Sequence, residues 1–245
     1  MPRFFVDAEA IADGKVTIDG GDAYHIARAL RMAVGDEIDV CDGCGTEYSC
    51  RLCRIRDDEC TAEVLSSQLS HREMPLDVTL YMAMPKGDKL ETVVQKAVEL
   101  GASHIVAYES ERCIKRPAPD KAAKLVERLS RIAREAAKQC GRARLPEVRG
   151  IISFSEMLAE IPRFELSLFC YEGDGTLPVR SVLEGSGELG SISAIVGSEG
   201  GFSEREADAI RAAGASAVGL GPRILRCETA PEYILSAISY RFEMK

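Results

Sequence analysis

The sequence predicts an α/β protein whose small, β-rich N-terminal part precedes a larger part built on a mostly parallel sheet. Residues 1–73 contain short, partly alternating apolar runs separated by Gly and Asp, a pattern typical of the strands of a small barrel. From Leu76 onward, strand-like runs alternate with amphipathic helical patterns, as in parallel sheets covered by helices. Two glycine-bearing loops, 197–201 and 220–226, each follow a short apolar run, where open α/β sheets bind ligands.

The composition is ordinary for a soluble globular protein: the 245 residues are 46% hydrophobic and 29% charged. No apolar run approaches the roughly 20 residues that a membrane-spanning helix needs. Residues 1–7 lack the long apolar core of a signal peptide. We therefore expect a cytoplasmic protein, and in that compartment the nine cysteines are expected to be reduced thiols.

The N-terminal part is expected to form a small barrel with one helix. Asp22 is the expected N-cap of this helix, and Ile26, Ala29 and Leu30 form its apolar stripe. Residues 70–75 have the composition of a linker. The predicted strands are 3–6, 15–18, 37–40, 47–56 and 60–66.

The C-terminal part is expected to alternate strands with helices. Asp88 with Glu91, and Ser203 with Glu206, have the spacing of capping boxes at helix starts. The predicted strands are 78–84, 104–108, 166–171, 192–196 and 217–220. One predicted helix follows Asp88, and the others cover 121–139, 203–213 and 229–243.

Four cysteines of the N-terminal part, Cys41, Cys44, Cys50 and Cys53, form two Cys-x2-Cys pairs. Only five residues separate the pairs, fewer than in the usual structural zinc ribbons. Cys50 and Cys53 also lie on a predicted strand, where residues three apart point to opposite faces. We therefore predict small buried residues and no metal, with a zinc site as the alternative.

Positive charge is concentrated in one segment of an acidic chain. The formal net charge is −8, yet residues 112–149 contain 12 Lys/Arg and four Asp/Glu. A local positive field on an acidic protein suits a polyanion such as nucleic acid. The alternative is a solvated helix face.

The first glycine loop, GSEGG at 197–201, separates a predicted strand from the helix at 203–213. Glycine permits close backbone approach to a ligand, and free N–H groups at the helix start would favour an anion such as a carboxylate. The spacing is neither that of a dinucleotide fingerprint nor that of a P-loop. His25, His71 and His104 are scattered and have no evident Ser or Cys partner, which argues against a nucleophilic triad.

The two loops, VGSEGGFS at 196–203 and LGPRILRCETA at 220–230, resemble those of the ribosomal RNA small subunit methyltransferase E family, in the SPOUT class. Further similar stretches are 24–36, 86–101, 110–112 and 135–142. The resemblance implies methylation of N3 of one uridine near the 3′ end of 16S rRNA, with S-adenosyl-L-methionine as cofactor. It also implies a PUA-like RNA-binding β-barrel over 1–73, a SPOUT methyltransferase domain with a deep trefoil knot over 74–245, and a homodimer.

The chemistry of the implied reaction suggests roles for three loop residues, and the resemblance implies the cofactor contacts. Arg226 would donate to a base oxygen, unless it pairs with Glu228. Either Glu199 or Glu228 would accept the N3 proton, with an interaction with the helix dipole or a helix-capping role as the alternative for Glu199. The implied cofactor-binding residues are Tyr171, Gly197, Ser198, Glu199, Gly200, Gly201, Leu220, Gly221, Pro222, Ile224 and Leu225.

Cations outside the two loops are the expected RNA contacts: Arg28, Arg31, Arg112, Lys115, Arg116 and Arg142. The chain departs from the family at Ser198, where the family has proline, and at Pro231, where a helix former is usual. Two other functions stay open. One is a SPOUT methyltransferase that acts on tRNA or another rRNA site, and the other is a non-catalytic RNA-binding module.

Overall fold

The computed structural model describes residues 1–114 and 116–244, and within them the chain divides into two compact units. The first unit comprises Met1–Glu73 together with Ala137–Leu145. The second comprises Met74–Ala136 and the chain from Pro146 onward.

The first unit is built on a six-stranded sheet with the order β1-β4-β5-β6-β3-β2. Its strands pair antiparallel, except for β1 and β4, which are parallel. The alternation of buried and exposed residues along β3 is that of a half-buried strand. The strands are β1 (Arg3–Phe5), β2 (Ile11–Ala12), β3 (Lys15–Asp19), β4 (Glu37–Cys41), β5 (Thr46–Ile55) and β6 (Glu59–Leu69).

The helix of the first unit covers α1 (Gly20–Tyr24) and continues as a π-helical turn, His25–Ala29. Asp22 lies inside its first turn, and the N-cap position belongs to Asp19, so the predicted cap was wrong. The Asp22 carboxylate instead accepts a hydrogen bond from Lys138 Nζ at 2.8 Å. Ile26 is fully buried in the core of this unit.

The second unit contains a seven-stranded, all-parallel sheet with the order β11-β13-β10-β12-β7-β8-β9. The predicted α/β class, with a β-rich N-terminal part and a parallel C-terminal sheet, is therefore confirmed. The strands are β7 (Asp77–Ala83), β8 (His104–Glu109), β9 (Glu147–Ser153), β10 (Leu166–Cys170), β11 (Leu177–Pro178), β12 (Ser191–Val196) and β13 (Ser216–Gly219).

Two helix starts test the capping predictions. Ser203 caps its helix in a capping box with Glu206, as predicted. Asp88 occupies an N-cap position but makes no side-chain cap bond, and Glu91 pairs with Arg128 at 2.8 Å instead. The helices are α2 (Lys89–Glu99), α3 (Pro119–Cys140), α4 (Phe154–Glu160), α5 (Val179–Gly185), α6 (Glu204–Ala212) and α7 (Thr229–Phe242). In the part of the chain that the structure describes, none of them is long and apolar enough to cross a membrane.

The four clustered cysteines do not share an environment. Cys41 and Cys50 are buried, whereas Cys44 and Cys53 are exposed. Burial raises the pKa of the Cys41 and Cys50 thiols to about 11, which disfavours the thiolate that binds metals. Over residues 1–114 and 116–244, no three His, Cys, Asp or Glu side chains are placed to hold a metal ion.

Candidate active site

Both glycine loops contribute to one cavity of about 690 Å³ in the second unit. The loops follow β12 and β13, and a third segment, Cys170–Gly173, comes at the end of β10. These strands are neighbours in the sheet, so the cavity lies at their carboxyl ends, where parallel sheets bind ligands. Its lining includes Lys89, Arg112, Tyr171, Val196–Phe202, Ile224–Cys227 and Ala230.

The first loop is tightly packed from behind. A Cβ at Gly197 would lie 2.8 Å from the ring of Phe202, and that ring packs edge-on against Phe169 at 4.7 Å between centroids. A Cβ at Gly200 would lie 3.0 Å from Cβ of Arg112. The backbone then turns at Gly201, which has a φ of 62° and donates its N–H to Ser198 O at 2.9 Å. The glycines let this backbone approach the cavity where side chains would not fit.

The N-terminus of α6, immediately after this loop, is partly capped by side chains of the chain itself. Ser203 N donates to the Glu206 carboxylate at 3.0 Å, and Glu206 N donates to Ser203 Oγ at 3.3 Å. Glu206 also accepts the N–H of Glu111 at 2.7 Å. The capping box thus takes up two of the N–H groups at this helix start from within the chain, and an anion at the remaining ones stays a prediction.

Ser198 lies at the cavity with an unused hydroxyl. The residue is 7% exposed, and its Oγ is buried without a hydrogen-bond partner among the described residues. A buried hydroxyl without a partner costs about 1–3 kcal/mol. No hydrogen bond to a described residue holds this hydroxyl in place, so it can pair with a ligand without breaking one.

The second loop divides its residues between two cavities. Ile224 and Leu225 line the main cavity, and they also line an adjoining one of about 220 Å³. Leu220, Gly221 and Pro222 line only this smaller cavity. The structure thus brings all the predicted cofactor-binding residues to two adjoining cavities.

Tyr171 forms a flat wall that the two cavities share. Its backbone N–H donates to Val218 O at 3.1 Å. One ring contact is a stacked one with Phe169, with 5.1 Å between centroids. The guanidinium of Arg211 lies 5.0 Å from the Tyr171 ring centroid and donates to Asp174 O at 2.8 Å. These contacts fix the ring plane before any ligand arrives.

Two carboxylates meet at one lysine. Lys89 Nζ lies 3.0 Å from Glu199 Oε1 and 3.0 Å from Glu228 Oε2. Glu199 lines the cavity together with Lys89, whereas Glu228 does not line it. Glu228 therefore binds a residue of the cavity lining, Lys89, without lining the cavity itself. It pairs with Lys89 and not with Arg226, so the alternative of an Arg226–Glu228 ion pair is wrong.

Both carboxylates are held in the ionised form. Burial would raise the pKa of Glu199, but hydrogen bonds from backbone N–H groups and from Lys89 outweigh it and lower the pKa below its usual value. A backbone hydrogen bond and then the bond from Lys89 lower the pKa of Glu228. Glu199 accepts from Lys86 N at 3.1 Å, so it does not cap α6.

Arg226 is exposed at the cavity. Its backbone carbonyl accepts hydrogen bonds from Thr229 and Ala230, which open α7. No ion pair of its guanidinium occurs among the residues that the structure describes. The guanidinium therefore keeps its donors available for a ligand.

Comparison with known proteins identifies the family to which this chain belongs. Residues 72–239 match the RNA methyltransferase domain family, and residues 18–65 match the RNA methyltransferase PUA domain family. Ribosomal RNA small subunit methyltransferase E of Bacillus subtilis is 36% identical over 251 residues, which cover 100% of this chain and 98% of that protein. The Synechocystis protein of that name is 32% identical, over 98% of this chain and 78% of its own length. The chain belongs to the ribosomal RNA small subunit methyltransferase E family.

A solved structure supports the same membership. It is the ribosomal RNA small subunit methyltransferase E from Neisseria gonorrhoeae bound to S-adenosyl methionine. It is similar to this chain with a TM-score of 0.87 and 33% identity, and the match covers 98% of this chain and 97% of that one.

The predicted RNA contacts of this family member have different surroundings. Arg28 is exposed but forms a two-pronged pair with Asp57, with Nε 2.9 Å from Oδ1. Arg31 is exposed and has a φ of 52°, in the left-handed region. Arg112 donates to Gly200 O at 2.9 Å, and Arg116 donates to Ser110 O at 3.2 Å. Lys115 lies outside the described residues.

Arg142 is the exception to the expected surface cations. It is 4% exposed, and its guanidinium pairs with Glu73 at 2.9 Å and 3.0 Å. A buried, paired guanidinium is unsuited to a phosphate contact, so the geometry replaces that expectation with a structural role inside the first unit.

Sequence reasoning missed Lys89, which joins the two carboxylates. A lysine at the start of a predicted helix carries no local signal of function, because its partners are 110 and 139 positions away in the chain. It also missed Cys227, whose Sγ lies 3.3 Å from Glu228 Oε2 and 3.7 Å from Lys89 Nζ. Burial raises the pKa of this thiol to about 12.

Proposed function

We propose that this chain transfers a methyl group from S-adenosyl-L-methionine to N3 of one uridine in the 16S rRNA of the small ribosomal subunit. One observation carries the proposal. Both glycine loops, the Tyr171 wall, Arg226 and an ionised carboxylate meet at one cavity in a member of this family. The Neisseria gonorrhoeae relative is described as bound to S-adenosyl methionine.

The cavity fits such a cofactor. Gly197 and Gly200 line the cavity, and because they lack a Cβ the loop can pack closely on Phe202 and Arg112. The Ser198 hydroxyl has no hydrogen-bond partner among the described residues. We assign the cofactor to the backbone of 197–201 and 220–225 and to the ring of Tyr171. When bound, S-adenosyl-L-methionine supplies an electrophilic methyl group.

The protein side chains activate the base. Uridine N3 carries an imide proton and is a poor nucleophile until that proton leaves. Glu199 lines the cavity as an anion. We favour it as the proton acceptor over Glu228, which pairs with Lys89 and does not line the cavity. Arg226 offers N–H donors to O2 or O4, where the charge of the imide anion accumulates.

The target uridine has to be presented singly. An enzyme that modifies a base edge must take the base out of its stack, so RNA outside the cavity has to be gripped by its backbone. We propose that Arg28, Arg31, Arg112 and Arg116 contribute to this grip, in a cytoplasmic homodimer. We also propose that 1–73 serves RNA binding and that 74–245 serves methyl transfer and forms a trefoil knot.

Calorimetry tests the cofactor assignment first. We expect S-adenosyl-L-methionine to bind the unliganded chain with one site per chain. Absence of detectable heat and of any shift in the unfolding midpoint would leave only an RNA-binding module.

Mass mapping tests the target site. In a strain that lacks this chain, 16S rRNA is expected to lose a single N3-methyluridine. If the nucleoside is retained and a methyl group disappears from tRNA or another rRNA position, the proposed site is wrong while the transferase activity stands. Labelled methyl transfer to small subunits and to protein-free 16S rRNA shows which substrate is used.

A further inference from the structure

The contacts of Lys89 set it apart from an ordinary surface lysine. Its Nζ is 3.0 Å from a carboxylate oxygen of Glu199 and 3.0 Å from one of Glu228. It begins α2, whereas Glu199 belongs to the first glycine loop and Glu228 precedes α7. Three separate segments are therefore joined at one ammonium group. The side chains of Lys89, Glu199 and Glu228 are 36%, 25% and 24% exposed, so water screens the two carboxylates only in part.

Two carboxylates this close would repel one another without the lysine. Each lies 3.0 Å from the same nitrogen, so their oxygens cannot be more than about 6 Å apart, well within the distance over which like charges raise a pKa. Cys227 also contacts this cluster and donates to Glu228 as a thiol, and the cationic residues Arg112 and Arg226 line the same cavity as Glu199. An ammonium group between the two anions removes the repulsion and fixes both carboxylate planes.

We propose that Lys89 is a positioning residue that keeps Glu199 ionised and oriented at the cavity, with Glu228 as its anchor from behind. The inference rests on the proposed methyl transfer, because it makes Lys89 responsible for the state of the proton acceptor. Glu228 then holds the lysine, and Arg226 stays available to the base.

A carboxyl titration by NMR tests the inference in the unliganded protein. Glutamates labelled with 13C at the carboxyl carbon are followed in the wild-type chain and in Lys89→Met, with the signals assigned from Glu199→Gln and Glu228→Gln. We expect Glu199 to titrate at higher pH in Lys89→Met, because the lysine no longer stabilises its charged form and Glu228 is still nearby. An unchanged Glu199 titration would overturn the inference.

Two further variants serve as controls. Lys96→Met removes another lysine of α2, which pairs with Glu99 at 2.8 Å and does not line the cavity, and it should leave Glu199 unchanged. Lys89→Arg keeps the positive charge, so the Glu199 pKa should stay close to its wild-type value. The planar guanidinium group cannot reproduce the contacts of the ammonium group in full.

The pH profile of methyl transfer gives the second readout. The lysine lowers the Glu199 pKa, so the active anion is present above that pKa and is lost below it. Removing the lysine raises the pKa, and the acid limb of the rate profile should therefore move to higher pH in Lys89→Met. Below the raised pKa the rate falls about tenfold per pH unit, while at alkaline pH the difference from the wild type narrows to the part that is due to the lost orientation of Glu199.

A purely structural lysine would behave differently. Lys89→Met would then lower the rate by one factor at every pH, and this result would overturn the inference. Failure of the proposed function is visible separately, since a wild-type chain without methyl transfer would still give the NMR titration of Glu199.

Discussion

The cysteine-rich strands of the first unit and the glycine loops of the second are equally conspicuous in the sequence, yet they are organised in opposite ways. The cysteines alternate between the core and the surface, so neighbouring thiols do not converge. The residues of the two loops come from separate segments, 197–201 and 220–226, and line common cavities. Spacing along a strand disperses side chains to two faces, whereas loops after adjacent parallel strands gather them at one edge.

The largest effect is expected from Arg226, the exposed cation of the second loop. Arg226→Ala should lower the rate of methyl transfer by about 10² to 10³, the usual cost of removing one donor to a developing anion. The affinity for S-adenosyl-L-methionine should change by less than about threefold, within the scatter of a neutral surface change. Single-turnover kinetics and calorimetry measure the two quantities. A rate that stays near the wild-type value would remove Arg226 from the proposed chemistry.

Gly197 tests whether the first loop needs its tight packing. In Gly197→Ala the new Cβ would lie 2.8 Å from the Phe202 ring, so the ring or the loop has to shift. We expect a loss of about 1–3 kcal/mol in the free energy of unfolding, as for overpacked cores, and weaker cofactor binding. Urea unfolding and calorimetry measure both.

Gly150→Ala is the matched control for that change, since a Cβ there meets nothing within 4 Å and the φ is not in the left-handed region. It should leave binding unchanged. Equal binding by the two variants would show that the cavity does not depend on the close approach of the first loop.

The cysteines can be compared directly on β5, where Cys50 is buried and Cys53 is exposed. Cys50→Ser places a hydroxyl in the apolar core of the first unit and should lower the free energy of unfolding by about 1–3 kcal/mol. Cys53→Ser should change it by less than about 0.5 kcal/mol. Urea unfolding with and without zinc or a chelator measures this. A midpoint that rises with zinc would restore the metal alternative.

Much of the fold was predictable because its elements have strong local patterns. The strands β7 and β12 are largely apolar runs, β3 alternates between buried and exposed residues, and the Ser203–Glu206 box marks α6. Short elements were missed. The strand β9 carries Arg149 and Gly150 inside it, which weaken a strand pattern. The helix α4 was overlooked although Ser153 and Glu156 form a capping box, a signal that the sequence does contain.

The candidate site was predictable only in part, because some of its residues have a local sequence signal and others are brought together only by the tertiary fold. The glycine loops stand out locally, and the resemblance to a family supplied their roles. The Lys89 link between Glu199 and Glu228 depends on how α2 packs beside the loops, and no local spacing encodes it. The burial of Arg142 against Glu73 also depends on the tertiary fold, and in the sequence Arg142 looks like the other basic residues of the segment 112–149.

The smallest effect is expected for Ser198→Ala. Its effects on stability and on cofactor affinity together show whether the Ser198 hydroxyl binds the cofactor or supports the fold. Ser198→Ala removes a buried hydroxyl that has no hydrogen-bond partner within residues 1–114 and 116–244, so the unliganded chain should keep its stability or gain up to about 1 kcal/mol. If the hydroxyl pairs with the bound cofactor, affinity for S-adenosyl-L-methionine should fall about three- to tenfold, the usual contribution of one hydrogen bond. Calorimetry and urea unfolding give the two numbers.

Ser167 is the matched control, because its buried hydroxyl is already satisfied by Ile161 O at 3.3 Å and by Ser193 Oγ at 2.8 Å. Ser167→Ala should therefore lose stability and keep its affinity, the reverse of the pattern at Ser198. The contrast arises because an alanine leaves hydrogen-bonding partners unsatisfied at 167 but removes an unsatisfied group at 198. An affinity that is equal in Ser198→Ala and wild type would mean that the hydroxyl faces no ligand, and the loop would then hold the cofactor through its backbone alone.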